Sequence, residues 1–322
     1  MKNLYPIKFY PILKERVWGG ITLVKSYNKQ TTSSKPIGES WEISGVQGDI
    51  SLISNGFLKG NDINEIIETY LGEVVGDEIY EKFGNEFPIL IKLLDIQDRL
   101  SVQVHPDDET ALQRHGSYGK TEFWYILDAE PSAKIYIGFN RDTTARELYD
   151  KCNDDTVVEL LNVVSPKKGD YFFIEPGTIH AATGGILVAE IQQVSDVTYR
   201  IYDWGREHNP ATAREMHLDL AIDCINYKKF NYSNGESGKE ELVNCNYFKV
   251  NLINIDKIKR LDSQDYSSFI IYICAEGGAI ISGKESSEKI VKGETMLIPA
   301  YMGEYTIEKN TANCQLLEII GK

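Results

Sequence analysis

SVQVHPDDETALQRHGSYGKTE, from Ser101 to Glu122, is the stretch whose reading decides the fold. In SVQVH, Gln103 and His105 stand two apart in an alternating apolar run, and on a β-strand such residues point to one face. Glu122 heads FWYIL, a second run of the aromatic and branched residues that strands favour. Later, YFFI runs into EPGTIH and delivers His180 just past a Pro-Gly turn. Were these strands to lie side by side in one barrel, two imidazoles, a carboxylate and an amide oxygen would converge, a donor set for a divalent metal. Taken singly, each histidine reads as a satisfied core or turn residue; the set reads as a metal site.

Working outward, Pro106 with Asp107 and Asp108 predicts a short helix, DDETALQRHG, ending at Gly116, with His115 as a capping or surface residue. Upstream, FPILIKLLDIQDRL reads as strand. Before it, Asp62 with Glu65 predicts a capped helix over INEIIETYLGEVVG, and DEIYEKFG a second one. IGESWEISGVQGDISLI, residues 37–53, alternates so that Glu39, Trp41 and Ile43 share one face, with a structural part for Trp41. Downstream, RDTTARELYDKCNDDTVVELLNVV predicts a helical excursion opened by a Thr cap. A further helix is expected from about Thr212, carrying His217; neither it nor His208 has a partner at metal spacing.

The tail repeats the front. A shift of 146 lays Phe123 to Glu130 over Phe269 to Glu276 and Ser101 to His105 over Tyr247 to Asn251, which predicts a second barrel of the same design. That alignment sets Lys249, Asn251 and Ser268 opposite Gln103, His105 and Glu122, and a smaller shift of 124, from KGDYFFIEPGTIH to KGETMLIPAYMGE, sets Glu304 opposite His180, so the second copy lacks the metal ligands. The Gly- and Ser-rich piece Gly235 to Lys239 reads as the junction between a metal-binding unit, 1–235, and a C-terminal one, 240–322.

A formal charge of −14 argues against a nucleic-acid partner and against anionic lipid. No apolar run is long enough to span a bilayer, the N-terminus lacks the apolar core of a signal peptide, and Cys152, Cys224, Cys245, Cys274 and Cys314 are scattered. A cytoplasmic protein with reduced thiols is expected.

Ligands on one strand, a Glu on the next and a late His after a turn resemble the cupin barrel, so the expected fold is mainly β with helical insertions in two cupin-type (jelly-roll) barrels. WGG at Trp18, GESWEIS at Gly38, QVHPDD at Gln103, GKTE at Gly119, PGTIHA at Pro176 and SDVTYRIYDWGR at Ser195 together resemble the short bacterial form of the type I mannose-6-phosphate isomerases. The resemblance implies an enzyme with one zinc ion per chain that interconverts mannose 6-phosphate and fructose 6-phosphate through a cis-enediol. It places the metal on Gln103, His105, Glu122 and His180, catalysis on Arg200, Lys120 and Glu190, and substrate binding on Lys120, Arg200 and Arg206. Glu190 is the expected base and neutral Lys120 its rival. Pro176 sits one position later than in the usual P-x-G-x-x-H of the family. Two other readings are an iron oxygenase and a non-catalytic sugar-phosphate sensor.

Overall fold

The computed structural model describes residues 3–211, 213–232 and 240–322; the expected junction and Thr212 lie outside the described residues. In the first part, strands form at Ile12–Gly20 (β1), Ile37–Ile43 (β2), Ile89–Ile96 (β3), Val102–Val104 (β4), Glu122–Ala129 (β5), Lys134–Phe139 (β6), Leu161–Val164 (β7), Tyr171–Ile174 (β8), His180–Thr183 (β9), Ile186–Gln193 (β10) and Tyr199–Tyr202 (β11). They build a six-stranded sheet, β1-β2-β3-β10-β5-β8, and a five-stranded sheet, β11-β4-β9-β6-β7. An apolar filling that includes Trp18, Leu94, Trp124, Ile135, Ile137 and Val188 joins the two sheets. This is the cupin-type sandwich expected, although the hydrogen-bond ladders do not run round one closed ring.

Both β3 and β10 are buried along their whole length because the larger sheet is covered on both faces. Leu94, Ile186 and Val188 point into the sandwich, whereas Ile89, Ile91, Leu187 and Ile191 point the other way, into a cluster shared with Phe248, Phe269, Ile271 and Leu317. Alternation is therefore hidden in ILIKLLDI and ILVAEIQQ, which read as continuous apolar runs.

One expected shared face is corrected. The ladder slips between Trp41 and Ile43, which pair with Lys92 and Ile91. This irregularity sends Ile43 to the outer cluster, while Glu39 and Trp41 keep the inner face.

The helices follow their caps. Asp62 and Glu65 form the expected capping box, but Leu71, at φ 53°, splits the predicted helix into Ile63–Tyr70 and Gly72–Val75. Asp107 caps Asp108–His115, which ends at Gly116 with φ 61°, where glycine carries no Cβ penalty. The helix expected around His217 is a single turn, Leu218–Ala221, that begins after it.

In the second part, strands at Glu241–Asn244 (β12), Phe248–Asn254 (β13), Lys259–Asp262 (β14), Ile270–Ser282 (β15), Ser287–Val291 (β16), Thr295–Ile298 (β17) and Glu304–Gly321 (β18) form one sheet. Residues near the N-terminus join it, since Ile7 exchanges backbone hydrogen bonds with Leu297 at 2.8 and 2.9 Å.

The repeat is present, in a register other than the one predicted. Glu122 pairs with Ile174 and Gln192, as Ile270 does with Ile298 and Ile320, so Ile270 and not Ser268 corresponds to Glu122. Lys92 opposite Glu190 is matched by Asn251 opposite Glu318, which makes Asn251 the counterpart of Lys92 rather than His105. Gln103 opposite His180 is matched by Asp262 opposite Glu304. A slip of two residues between apolar strands of period two accounts for Ser268 and Ile270, whereas β13 answers to β3 and β14 to β4, an exchange of strands that only the pairing reveals. The second part contains no histidine in either register.

Candidate active site

β4 and β9 bring Gln103 opposite His180, His105 follows β4 directly, and Glu122 opens β5. Nδ1–H of His105 donates to the Val197 carbonyl and that of His180 to the Thr178 carbonyl, each at 3.0 Å. Both Nε2 atoms are thereby turned toward Glu122, at 3.3 and 3.4 Å, and that of His180 also accepts from the Gln103 amide nitrogen at 3.1 Å. Burial drives the His105 pKa down to about 3 and lowers that of His180, so both rings are neutral. Burial opposes the charge on Glu122, but the charge of Lys120 outweighs it and holds its carboxyl well below the usual range. Nε2 of His105 and both Glu122 oxygens are buried without a hydrogen-bond partner, and among the described residues the one cation at Glu122 is Lys120 Nζ, 3.1 Å from Oε1. Orphaned acceptors converging on one point fit a cation, and a single ligand atom from each of His105, Glu122 and His180 lies within 4.8 Å of the others.

A cavity of about 460 Å³ adjoins this cluster, lined by Arg16, Glu39, Trp41, Lys92 and Glu190 from the larger sheet, Gln103 and Arg200 from the smaller, and by Lys120, Thr198 and Arg214. The row Trp41, Lys92, Glu190, Trp124 crosses β2, β3, β10 and β5. Glu190 accepts from Lys92 Nζ at 2.9 Å and from Trp124 Nε1 at 2.7 Å. Burial, and then the charge of Glu122, raise its pKa.

Lys14, Arg16, Lys92, Lys120 and Arg214 each meet a carboxylate. Among the described residues, Arg200 is the lining cation that does not. Its Nη1 donates to the Glu215 carbonyl at 2.6 Å, its Nε is buried without a partner, and burial followed by the charge of Arg214 lowers its pKa to about 10. Buried Asp203 explains this, because it is taken by Arg206 and Arg214 together. Arg206, expected at the substrate, faces Asp98 and Asp203 and is not part of the lining.

The structure therefore gathers Gln103, His105, Glu122, His180, Lys120, Arg200 and Glu190 around one region. Sequence reasoning missed Arg16, Glu39, Lys92 and Arg214, and gave Trp41 only a structural part. A usable signal existed for Lys92: a single lysine inside ILIKLLDI must find a buried partner. His115 contacts the Tyr199 hydroxyl at 2.8 Å, and His217 Nδ1 accepts from the Arg200 amide at 3.2 Å. His208 falls near Asp155 and Glu207, a group in which Asp155 and His208 are exposed.

The family model of the catalytic domain of type I phosphomannose isomerase matches residues 7–123, and that of the mannose-6-phosphate isomerase cupin domain matches residues 238–317. Mannose-6-phosphate isomerase ManA of Bacillus subtilis strain 168 is 36% identical over 315 residues, covering 94% of this chain and 96% of its own. The chain belongs to the type I mannose-6-phosphate isomerase family. A crystal structure of the mannose 6-phosphate isomerase from Bacillus subtilis superposes on it with a TM-score of 0.84 at 32% identity, over 98% of this chain and 99% of that one. A putative mannosephosphate isomerase from Archaeoglobus fulgidus gives a TM-score of 0.81 at 25% identity over the full length of both. Within the type I mannose-6-phosphate isomerase family this chain thus keeps both parts of the fold, with the orphaned cluster in the first.

Proposed function

We propose that the chain interconverts mannose 6-phosphate and fructose 6-phosphate, with one zinc ion held by Gln103, His105, Glu122 and His180. The observation that carries this reading is the placement of Glu190, a buried carboxylate of raised pKa, on the same cavity as the orphaned donor cluster and the uncompensated guanidinium of Arg200. Two neutral imidazoles, a carboxylate and an amide suit zinc; iron takes a similar set, but a cavity lined with cations favours an anionic sugar over an oxygenase substrate. When bound, zinc would polarise a sugar oxygen.

The side chains do the rest. Glu190, oriented by Lys92 and Trp124, takes the proton from C2 of the open-chain aldose and returns it to C1 through a cis-enediol, while O1 gains a proton and the O2 hydroxyl gives one up. Lys120 Nζ, 3.1 Å from Glu122 and 3.4 Å from the Thr198 hydroxyl, donates to the oxygen on which negative charge develops. Arg200 binds the phosphate dianion. In this reading residues 1–235 hold the site and residues from 240 onward support it. The five free thiols suit a cytoplasmic protein, and none of the described helices is long and apolar enough to cross a membrane.

The test is a coupled isomerase assay on purified protein before and after chelation. Activity is expected to fall at least about a hundredfold, the loss that corresponds to withdrawing a cation worth several kcal/mol, and to return with zinc. Binding of fructose 6-phosphate without turnover would instead identify a sensor. Arg200→Ala is expected to lower kcat/KM by about 10- to 100-fold with metal content preserved. Unaltered kinetics would remove Arg200 from the mechanism.

A further inference from the structure

Arg200 does not stand alone in the cavity wall. Arg16 comes from β1, an edge strand of the larger sheet, Arg200 from β11 of the smaller sheet, and Arg214 from the segment beyond it; all three line the cavity. Each flanking arginine is held by the same edge of its guanidinium. Arg16 donates from Nε and Nη2 to Glu39 at 2.7 and 3.3 Å. Arg214 donates from Nε and Nη2 to Asp203, the Nε bond at 3.0 Å. Such a fork fixes the plane of the group and leaves the Nη1 edge for another acceptor. Nη1 of Arg214 makes no hydrogen bond among the described residues, and that of Arg16 makes one of 3.2 Å to the Glu15 carbonyl. The positive charges of both are felt at Arg200, beside that of Arg206 and against the single negative charge of Asp203.

We infer that Arg16 and Arg214 complete, with Arg200, a three-guanidinium seat for the phosphate of the substrate, and that these residues rather than Arg206 set the preference for phosphorylated over free sugars. The inference rests on the reading of this cavity as a sugar-phosphate site. Its physical basis is preorganisation: side chains already clamped by carboxylates lose little freedom when the dianion arrives. A phosphate offers three oxygens, and guanidinium edges approaching from both sheets match it better than one arginine can.

The test uses Arg16→Gln and Arg214→Gln in the full chain. Asp203 keeps Arg206 as a partner in the second variant, and Arg16 lies on an edge strand, so both proteins are expected to fold. KM for mannose 6-phosphate should rise about 10- to 100-fold in each with kcat little changed, the pattern of lost uniform binding. Competitive inhibition by inorganic phosphate should weaken in parallel. Arg214→Lys, which keeps the charge without the fork, should fall between parent and glutamine variant. Inorganic phosphate binding is also followed calorimetrically, so that failure of the parent protein to isomerise would sink the proposed activity while the titration still reads the seat. Unchanged phosphate affinity and KM in both glutamine variants, or a loss confined to kcat, would overturn the inference.

Discussion

Glu190→Gln is expected to lower kcat by roughly two to four powers of ten, the contribution of a positioned general base. Metal content should be preserved, because Glu190 contacts Lys92 and Trp124 rather than the donor cluster. The fold should survive with reduced stability. Lys92 keeps a partner in Gln192 Oε1 at 2.6 Å, whereas an amide cannot satisfy both of the donors that Glu190 accepts, and one unmade buried hydrogen bond costs about 1–3 kcal/mol. The pH profile supplies the sharper check. Glu190 works deprotonated, and burial followed by the charge of Glu122 raises its pKa, so activity should be lost as pH falls through a value above the ordinary carboxylate range. A cation on Glu122 would weaken the second cause and leave the first. The acid limb of kcat/KM should be present in the parent and absent in the variant; a variant that retained both rate and limb would return the role of base to Lys120.

Ending the chain near Gly238 is expected to leave no soluble, active first part. The outer face of the larger sheet is not a surface: Ile91, Leu93, Phe123, Tyr125, Leu187 and Ile191 share one core with Phe248, Val250, Phe269, Ile271, Ile273, Leu317 and Ile319. Each large apolar side chain buried there is worth roughly 1.5–3 kcal/mol, so exposing one partner's share costs as much as a whole net stability of about 5–15 kcal/mol. Polar ties cross the same boundary, among them Tyr247 to Asp108 at 2.6 Å and Lys29 to the Gly293 carbonyl at 2.8 Å. Sedimentation and the isomerase assay on the truncated chain decide the matter. A monodisperse product with parental kcat would show that the second part is dispensable.

Local chemistry made much of this protein legible without coordinates. Strand alternation in SVQVH, the aromatic run after Glu122 and the turn before His180 were enough to select the donor cluster, because side-chain direction on a strand follows from the period of the backbone. Helix starts at Asp62, Asp107 and Thr144 were readable for a similar reason: a cap satisfies backbone groups within three residues of itself. The slip at Trp41 and Ile43, the register of the repeat and the company kept by each arginine were not readable.

Those depend on what arrives from elsewhere in the chain. Arg200 and Arg206 are equally basic in SDVTYRIYDWGR, and it is Asp203, with Arg214 from the following segment, that engages one and leaves the other facing the cavity. Glu190 looks like any strand glutamate until Lys92 and Trp124 close on it from the neighbouring strands. Short-range periodicity settles which way a side chain points; which charge it meets there is settled only when distant strands pair, since Coulomb attraction and hydrogen bonding act across a few ångströms of space and take no account of separation along the chain.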